Sequence, residues 1–206
     1  MKSLDALAPS IKVYAPGVAD PAMYFGIRQA AIEFCERTKL WRYEDEFTVS
    51  ADDAEFLAAP NNAEIHEIEV VSFNGRELDP KATSWLDDHM PGWRTGNVTG
   101  QPAYYTQTEP DTIRLVPNDA GTVSLTVWLK TSQDADSLPD WMVDKYRETI
   151  AHGALARILL MPNQSFTNPE LGAAFAAMFE RKLDGLFDKG FTGQQRAPKR
   201  TKASLY

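Results

Sequence analysis

The side chains that could carry out chemistry in this sequence are clustered carboxylates and three histidines. Two acidic runs, at residues 44–46 and 52–53, could supply the pair of carboxylates that hydrolyses a glycosidic bond. A third run, Asp87-Asp88-His89, could supply metal ligands. Neighbouring acids in an extended stretch are usually solvated surface charge, and their spacing places no two of them at a catalytic separation. We therefore predict no catalytic, cofactor-binding or metal-binding residues.

The remaining reactive residues are separated from one another along the chain. His66 falls in a strand pattern, and His152 lies beside the apolar stripe of a helix, where a histidine is more often an edge residue than a base. Cys35, the single cysteine, lies on the apolar side of a helix pattern and is interpreted as a small buried side chain. No glycine-rich phosphate loop, nucleophile elbow or HExxH motif occurs. These observations favour a structural protein over an enzyme.

The chain is predicted to fold around a helix hairpin spanning residues 137–189. Pro139 and Pro169 suit the first turn of a helix, where no intrahelical donor is lost, and Pro162 ends the first helix. Small residues such as Gly153 would let the two helices approach closely. Apolar residues recur at helical spacing in both helices: Met142, Tyr146, Ile150, Ala154, Leu155, Ile158 and Leu159 in the first, and Leu171, Phe175, Met178, Phe179, Leu183, Leu186 and Phe187 in the second.

Upstream of this hairpin, the patterns predict one more long helix and a β region. Residues 1–20 are expected to be an extended lead-in, and residues 21–38 an amphipathic helix. Asn74-Gly75 is a strong signal for a two-residue hairpin turn. The other patterns predict strands at 41–49, 65–73, 102–106, 112–116 and 122–130, a short helix at 81–90, a loop or one helical turn at 51–60, and a loop at 91–101.

Together these elements predict an α+β fold. We expect a helical bundle, made of the first helix and the C-terminal helix hairpin, with an inserted antiparallel β region at about 43–130. Residues 1–189 are expected to form a single domain with helices at about 21–38, 139–160 and 168–189. Residues 190–206 lack periodicity and are expected to form a flexible basic C-terminal tail.

Charge is distributed unevenly along a chain whose net charge is −8. From Lys189 onward there are five Lys or Arg and no Asp or Glu, so residues 1–188 carry 16 basic and 29 acidic residues. Such an acidic body is unsuited to clamping nucleic acid. It is compatible with a surface past which DNA slides, and equally with ordinary surface charge that keeps a protein in solution. The tail is expected to become ordered only on a partner. Its predicted partner-binding residues are Arg196, Lys199, Arg200, Lys202, Leu205 and Tyr206.

Two of the five tryptophans, Trp85 and Trp93, flank a glycine-rich loop. This position fits a protruding contact element as well as it fits core packing. No run approaches the roughly 18 apolar residues of a membrane span, and the N-terminus is too short and too acidic for a secretory signal. We therefore expect no membrane association, and a protein made in the cytoplasm.

Two sequence motifs and the order of the elements resemble a known family. The first predicted helix ends in AAIEFCERTKLW at residues 30–41, and the hairpin begins with LPDW at 138–141, with LLMPNQSF following at 159–166. With the order helix, β insertion, helix hairpin and basic tail, these features resemble the head–tail connector, or adaptor, proteins of tailed bacteriophages, including the tail tubular A type. The resemblance carries no catalytic residue, because the family is structural.

The resemblance implies a dodecameric ring of this chain below the portal, which joins the DNA-filled head to the tail. It implies the portal protein and a tail or nozzle protein as partners, and a central channel that DNA passes without sequence-specific binding. The protein would be assembled in the host cytoplasm and would remain in the virion at the head–tail junction.

Two other functions are compatible with the residues alone. A small carboxylate-based hydrolase would require acid pairs that face each other across a cleft. A monomeric host-interaction module would be distinguished from a ring subunit by its mass in solution.

Overall fold

The computed structural model describes residues 1–192 except residues 52–54, 97 and 99. The helices are α1 (Ala8–Lys12), α2 (Asp20–Thr38), α3 (Thr83–His89), α4 (Asp140–Ile158) and α5 (Pro169–Thr192), with 3₁₀ helices at Leu4–Leu7 and Trp93–Thr95. The strands are β1 (Lys2–Ser3), β2 (Arg42–Val49), β3 (Phe56–Leu57), β4 (Ala63–Phe73), β5 (Arg76–Glu77), β6 (Asp79–Pro80), β7 (Tyr104–Thr106), β8 (Thr112–Val116), β9 (Gly121–Thr131) and β10 (Ser137–Leu138).

These elements are distributed over two units, and the predicted α+β class is confirmed. The helical unit contains Met1–Trp41 and the chain from Gln133 onward. The β unit contains Arg42–Ser132, including the short helix α3. No helix in the described residues is long and apolar enough to cross a membrane.

The N-terminal segment differs from the sequence prediction, because residues 1–20 are not an extended lead-in. β1 pairs with β10, and the chain then forms a 3₁₀ helix and α1. Leu4, Leu7 and Ile11 are buried in the helical core. Their spacing of three and four residues is helical, and Pro9 falls in the first turn of α1, where proline is tolerated.

The core of the helical unit lies between α2, α4 and α5, and their apolar stripes are largely as predicted. In α4 the predicted side chains are buried except Tyr146, which is partly buried and has non-helical backbone angles at a kink. In α5 the prediction is wrong for Met178, whose side chain is 51% exposed, and the side chain of Phe187 lies outside the described structure. Cys35 is buried, as predicted. Asn168 accepts a hydrogen bond from the Leu171 amide (3.0 Å), which caps the start of α5.

Two four-stranded sheets make up most of the β unit. One has the strand order β2-β9-β4-β5 and is antiparallel. The other has the order β3-β8-β7-β6, and its β6–β7 pair is parallel, unlike the predicted antiparallel pairing. Asn74 (φ 49°) and Gly75 (φ 79°) form the predicted hairpin turn between β4 and β5. The segment 51–60 contains the short strand β3, which the sequence did not indicate, because Phe56 and Leu57 are too few to show a period.

Candidate functional site

The acidic run at residues 44–46 does not form a pair of converging carboxylates. It lies on β2, where successive side chains point to opposite faces, and all three are exposed. Glu44 accepts a hydrogen bond from Arg42 (2.7 Å), and Glu46 accepts one from Ser124 (3.1 Å). The second acidic run, residues 52–53, lies outside the described residues. The described carboxylates thus bind neighbouring side chains.

The Asp87-Asp88-His89 run lies at the end of α3, and all three residues are exposed. Asp87 accepts hydrogen bonds from Arg94 (3.1 Å to each carboxylate oxygen) and from the indole nitrogen of Trp93 (2.8 Å). These bonds, with that from Arg94 the larger cause, hold the pKa of Asp87 below its ordinary value. Among the described residues, no group of three His, Cys, Asp or Glu side chains is arranged to hold a metal ion.

The two tryptophans that flank the glycine-rich loop differ in exposure. Trp93 is only 4% exposed, with the guanidinium carbons of Arg94 and Arg114 at 4.4 and 5.1 Å from its ring centroid. It therefore packs in the interior of the β unit. Trp85 is partly buried and stacks on the ring of His89 with a centroid distance of 4.3 Å. A contact role for Trp85 stays a prediction.

A cluster of rings in the helical unit joins α4, α5 and the segment that follows α1. The ring of Tyr14 meets Phe175 edge-on, with a centroid distance of 5.0 Å. His152 stacks on the same phenylalanine at 5.0 Å. Burial lowers the pKa of His152 below its ordinary value, and Glu148 opposes this shift. Val13, beside Tyr14, is 74% exposed.

Arg37 on α2 is the centre of an ion-pair network that joins the helices of the helical unit. It binds Glu180 and, at 2.6 Å, Asp184 on α5. The hydrogen bond to Glu180 is the main cause that raises the pKa of Arg37. Arg37 also lies 3.8 Å from Glu33 of α2, and Arg157 on α4 binds Glu33 at 2.5 Å, so the network connects all three long helices of this unit.

The negative charge of the chain is concentrated in the β unit. Arg42–Ser132 contains 16 acidic and six basic residues, a net charge of −10, whereas the rest of the chain has 13 acidic and 15 basic residues. This segregation is visible only once the limits of the two units are known, because the sequence by itself separates only an acidic body from a basic tail.

The β unit also contains an open groove of about 610 Å³, which the sequence did not predict. Its lining includes Glu67, Ile68, Lys81, Thr83, Tyr105 and Thr106. These residues come from β4, the segment after β6, the first residue of α3, and β7, so only the pairing of distant parts of the chain brings them together. Asp79 and Pro80 pair with β7 of the other sheet instead of continuing beside β4, and no motif in the sequence indicates this change of partner.

The predicted partner-binding residues of the tail lie outside the described residues, so the structure does not place them: Arg196, Lys199, Arg200, Lys202, Leu205 and Tyr206.

The comparison with protein families identifies the class of this chain. Residues 6–202 match the model of the SU10 adaptor protein. Because this match spans nearly the whole chain, the chain belongs to the SU10 adaptor family, a family of phage head–tail adaptors. No curated protein matches the chain.

Proposed function

We propose that this phage adaptor forms a ring below the portal, which joins the DNA-filled head to the tail and surrounds the DNA channel. The observation that carries the proposal is the family match over residues 6–202. A closed ring of identical subunits leaves a passage along its axis. We propose that the ring contains 12 copies of this chain and that the chain is an adaptor of the tail tubular A type. The chain would act without an enzymatic step.

The charge of the β unit supports a role beside moving DNA. A net charge of −10 repels phosphate groups, so this unit would not retain a DNA duplex. A channel wall must let DNA pass without sequence-specific binding. The acidic β unit therefore suits a passage better than a DNA clamp.

The partners that we propose are the portal protein on one side and a tail or nozzle protein on the other. The tail from residue 190 onward carries basic residues and no acid, with Leu205 and Tyr206 near its end. A segment of this composition can become ordered on an acidic partner surface, with its apolar side chains as anchors. The protein would be assembled in the host cytoplasm and remain in the virion.

Electron microscopy of virions that carry a label on this chain tests the proposal. We expect ring-shaped density with the label at the head–tail junction. The mass of the purified chain, measured alone and with the portal protein, distinguishes a ring that forms in solution from one that forms on docking. A label on the capsid shell or the distal tail would contradict the proposal, as would particles that join normally without this chain.

A further inference from the structure

Strand β2 presents a long open edge. It lies at one end of its sheet and pairs with β9 along all 8 of its residues without a shift of register. Among the described residues, no strand pairs with its other side. The other edge strands of the two four-stranded sheets, β3, β5 and β6, have two residues each. In the described structure, β2 is therefore the longest regular edge to which a strand can be added.

The backbone groups that face this open side belong to alternate residues of β2. Thr122 of β9, which lies opposite Thr48, bonds Asn74 on the β4 side: its carbonyl accepts from the Asn74 amide (2.8 Å), and its amide donates to the Asn74 side chain (2.9 Å). Thr122 and Thr48 are thus a pair without mutual hydrogen bonds. Because such pairs alternate along an antiparallel ladder, Thr48, Glu46 and Glu44 direct their backbone amides and carbonyls to the open side.

The side chains along this edge are acidic. Glu44, Asp45 and Glu46 are exposed, and Glu44 and Glu46 share one face of the strand. Arg42 binds both Glu44 (2.7 Å) and Glu69 (2.8 Å), so these four acids and one base have a net charge of −3. The Glu46 amide donates to the Asp45 carboxylate (2.9 Å), a bond that an incoming backbone carbonyl would replace. Such an edge repels the same edge of another copy and attracts a basic segment.

The chain contains a basic segment of matching spacing after α5. Residues 193–206 contain four basic residues and no acid. Two of them, Arg200 and Lys202, are two positions apart, which is also the spacing of Glu44 and Glu46. In an added strand, parallel or antiparallel, the two basic side chains would lie on one face and opposite the two acids.

We propose that residues 199–204 of one copy add a strand to the β2 edge of a second copy. Backbone groups would supply the hydrogen bonds, and the two acid–base pairs would fix the register. Each copy supplies one segment and one edge, so the contact is heterologous and repeats around a ring until every edge is filled. The inference therefore rests on the proposed ring. Leu205 and Tyr206, which follow the added strand, stay available to the portal protein.

The charges of the two elements do not cancel. One tail supplies four basic residues, whereas one β unit has a net charge of −10. The strand contact would thus offset only part of the repulsion between neighbouring β units, and its specificity must come from the pairing of strands as well as from charge.

The binding step is tested without a ring, by NMR of the full chain with a synthetic peptide of residues 193–206. We expect saturable shifts centred on the amides of residues 44–48. In a control peptide Lys202 and Leu205 exchange places, which keeps the composition and leaves no two basic residues two positions apart. The control should bind more weakly by about threefold or more. An absence of saturable shifts at millimolar peptide, shifts centred outside β2, or equal affinities of the two peptides would overturn the proposal.

Two matched double variants separate the edge from general electrostatics. Glu44→Gln with Glu46→Gln removes two charges from the edge, and Glu77→Gln with Asp79→Asn removes two from exposed positions elsewhere in the β unit. We expect the first pair to weaken binding of the peptide by about fivefold and the second by less than about twofold. Equal effects, with unchanged thermal midpoints, would show that no acid–base pairs form at β2.

Cross-linking in virions tests the contact between copies. Glu46→Cys combined with Lys202→Cys should give covalent multimers on oxidation, whereas each single variant should keep the monomer mass, because Cys35 is buried. Electron microscopy of the same particles reports on the ring separately. A ring at the junction with only chains of monomer mass would overturn this inference and leave the ring, and particles without a ring would overturn both.

Discussion

At Gly153, the three long helices of the helical unit come close enough that any larger side chain must displace a neighbour. A Cβ atom at this position would lie 2.9 Å from the Ala30 Cβ and 2.9 Å from a ring carbon of Phe179. We expect Gly153→Val to lower the free energy of unfolding by about 3 kcal/mol, because overpacking a core forces backbone and rotamer shifts. Urea denaturation measures this change.

Gly185 in α5 provides the matched control for Gly153. A Cβ atom there meets no atom within 4 Å, and the backbone is helical. Gly185→Ala should raise the free energy of unfolding by about 0.5–1 kcal/mol, because glycine is less favourable than alanine in a helix. Equal effects at the two glycines would contradict close packing at Gly153.

His152 gives the stability of the helical unit a pH dependence of defined sign. Its pKa in the folded protein is below the ordinary value of 6.5, because burial disfavours the imidazolium. The unfolded chain therefore binds a proton more readily, and this contribution to stability is present above pH 6.5 and is lost as the pH falls toward the folded pKa. His152→Phe should reduce the loss of stability below pH 6.5 while keeping a ring against Phe175. Parallel pH profiles of the two proteins would contradict this role.

At the scale of elements, the contact between α2 and α5 combines apolar packing with the ion pairs of Arg37. Arg37 is partly exposed, so its pairs with Glu180 and Asp184 are screened by solvent. We expect Arg37→Met to lower the free energy of unfolding by about 1 kcal/mol at low salt and by less at high salt. Lys12→Met, which removes one exposed ion pair with Asp20, is the control and should change stability less. A loss that does not depend on salt would assign the effect to packing instead.

The elements that the sequence predicted correctly are those with a local signal. Pro139 and Pro169 indicated the starts of α4 and α5, and Asn74-Gly75 indicated the hairpin. The predicted burial failed for Met178, because helical spacing identifies a face but not the width of the partner surface that covers it.

The elements that the sequence did not predict depend on distant partners. β1 pairs with β10, and β3 pairs with β8, in each case over two residues. The groove lies where, among the described residues, no strand pairs with residues 67–70 on the side of β4 away from β9, which follows from the pairing of the whole β unit. Neither propensity nor periodicity in a short window contains this information.

At the scale of the whole molecule, the proposed docking role of the tail predicts separable effects on folding and on assembly. Deleting residues 197–206 should leave the thermal midpoint unchanged and prevent joining to the head, because a segment that becomes ordered on a partner contributes little to the free subunit. Replacing Lys199, Arg200 and Lys202 with Gln, at constant length, tests the charge alone. Particles that join normally after the deletion would exclude the docking role.

The segregation of charge into the β unit has a consequence for the thermodynamics of assembly. Copies related by rotation in the proposed ring would place their β units at one level, each with a net charge of −10. Such a belt would accumulate cations from solution as it closes, since mobile ions must offset the repulsion between neighbouring subunits. Ring closure would then be accompanied by net uptake of ions, and added salt would promote it, whereas added salt releases proteins that are held to DNA by basic residues.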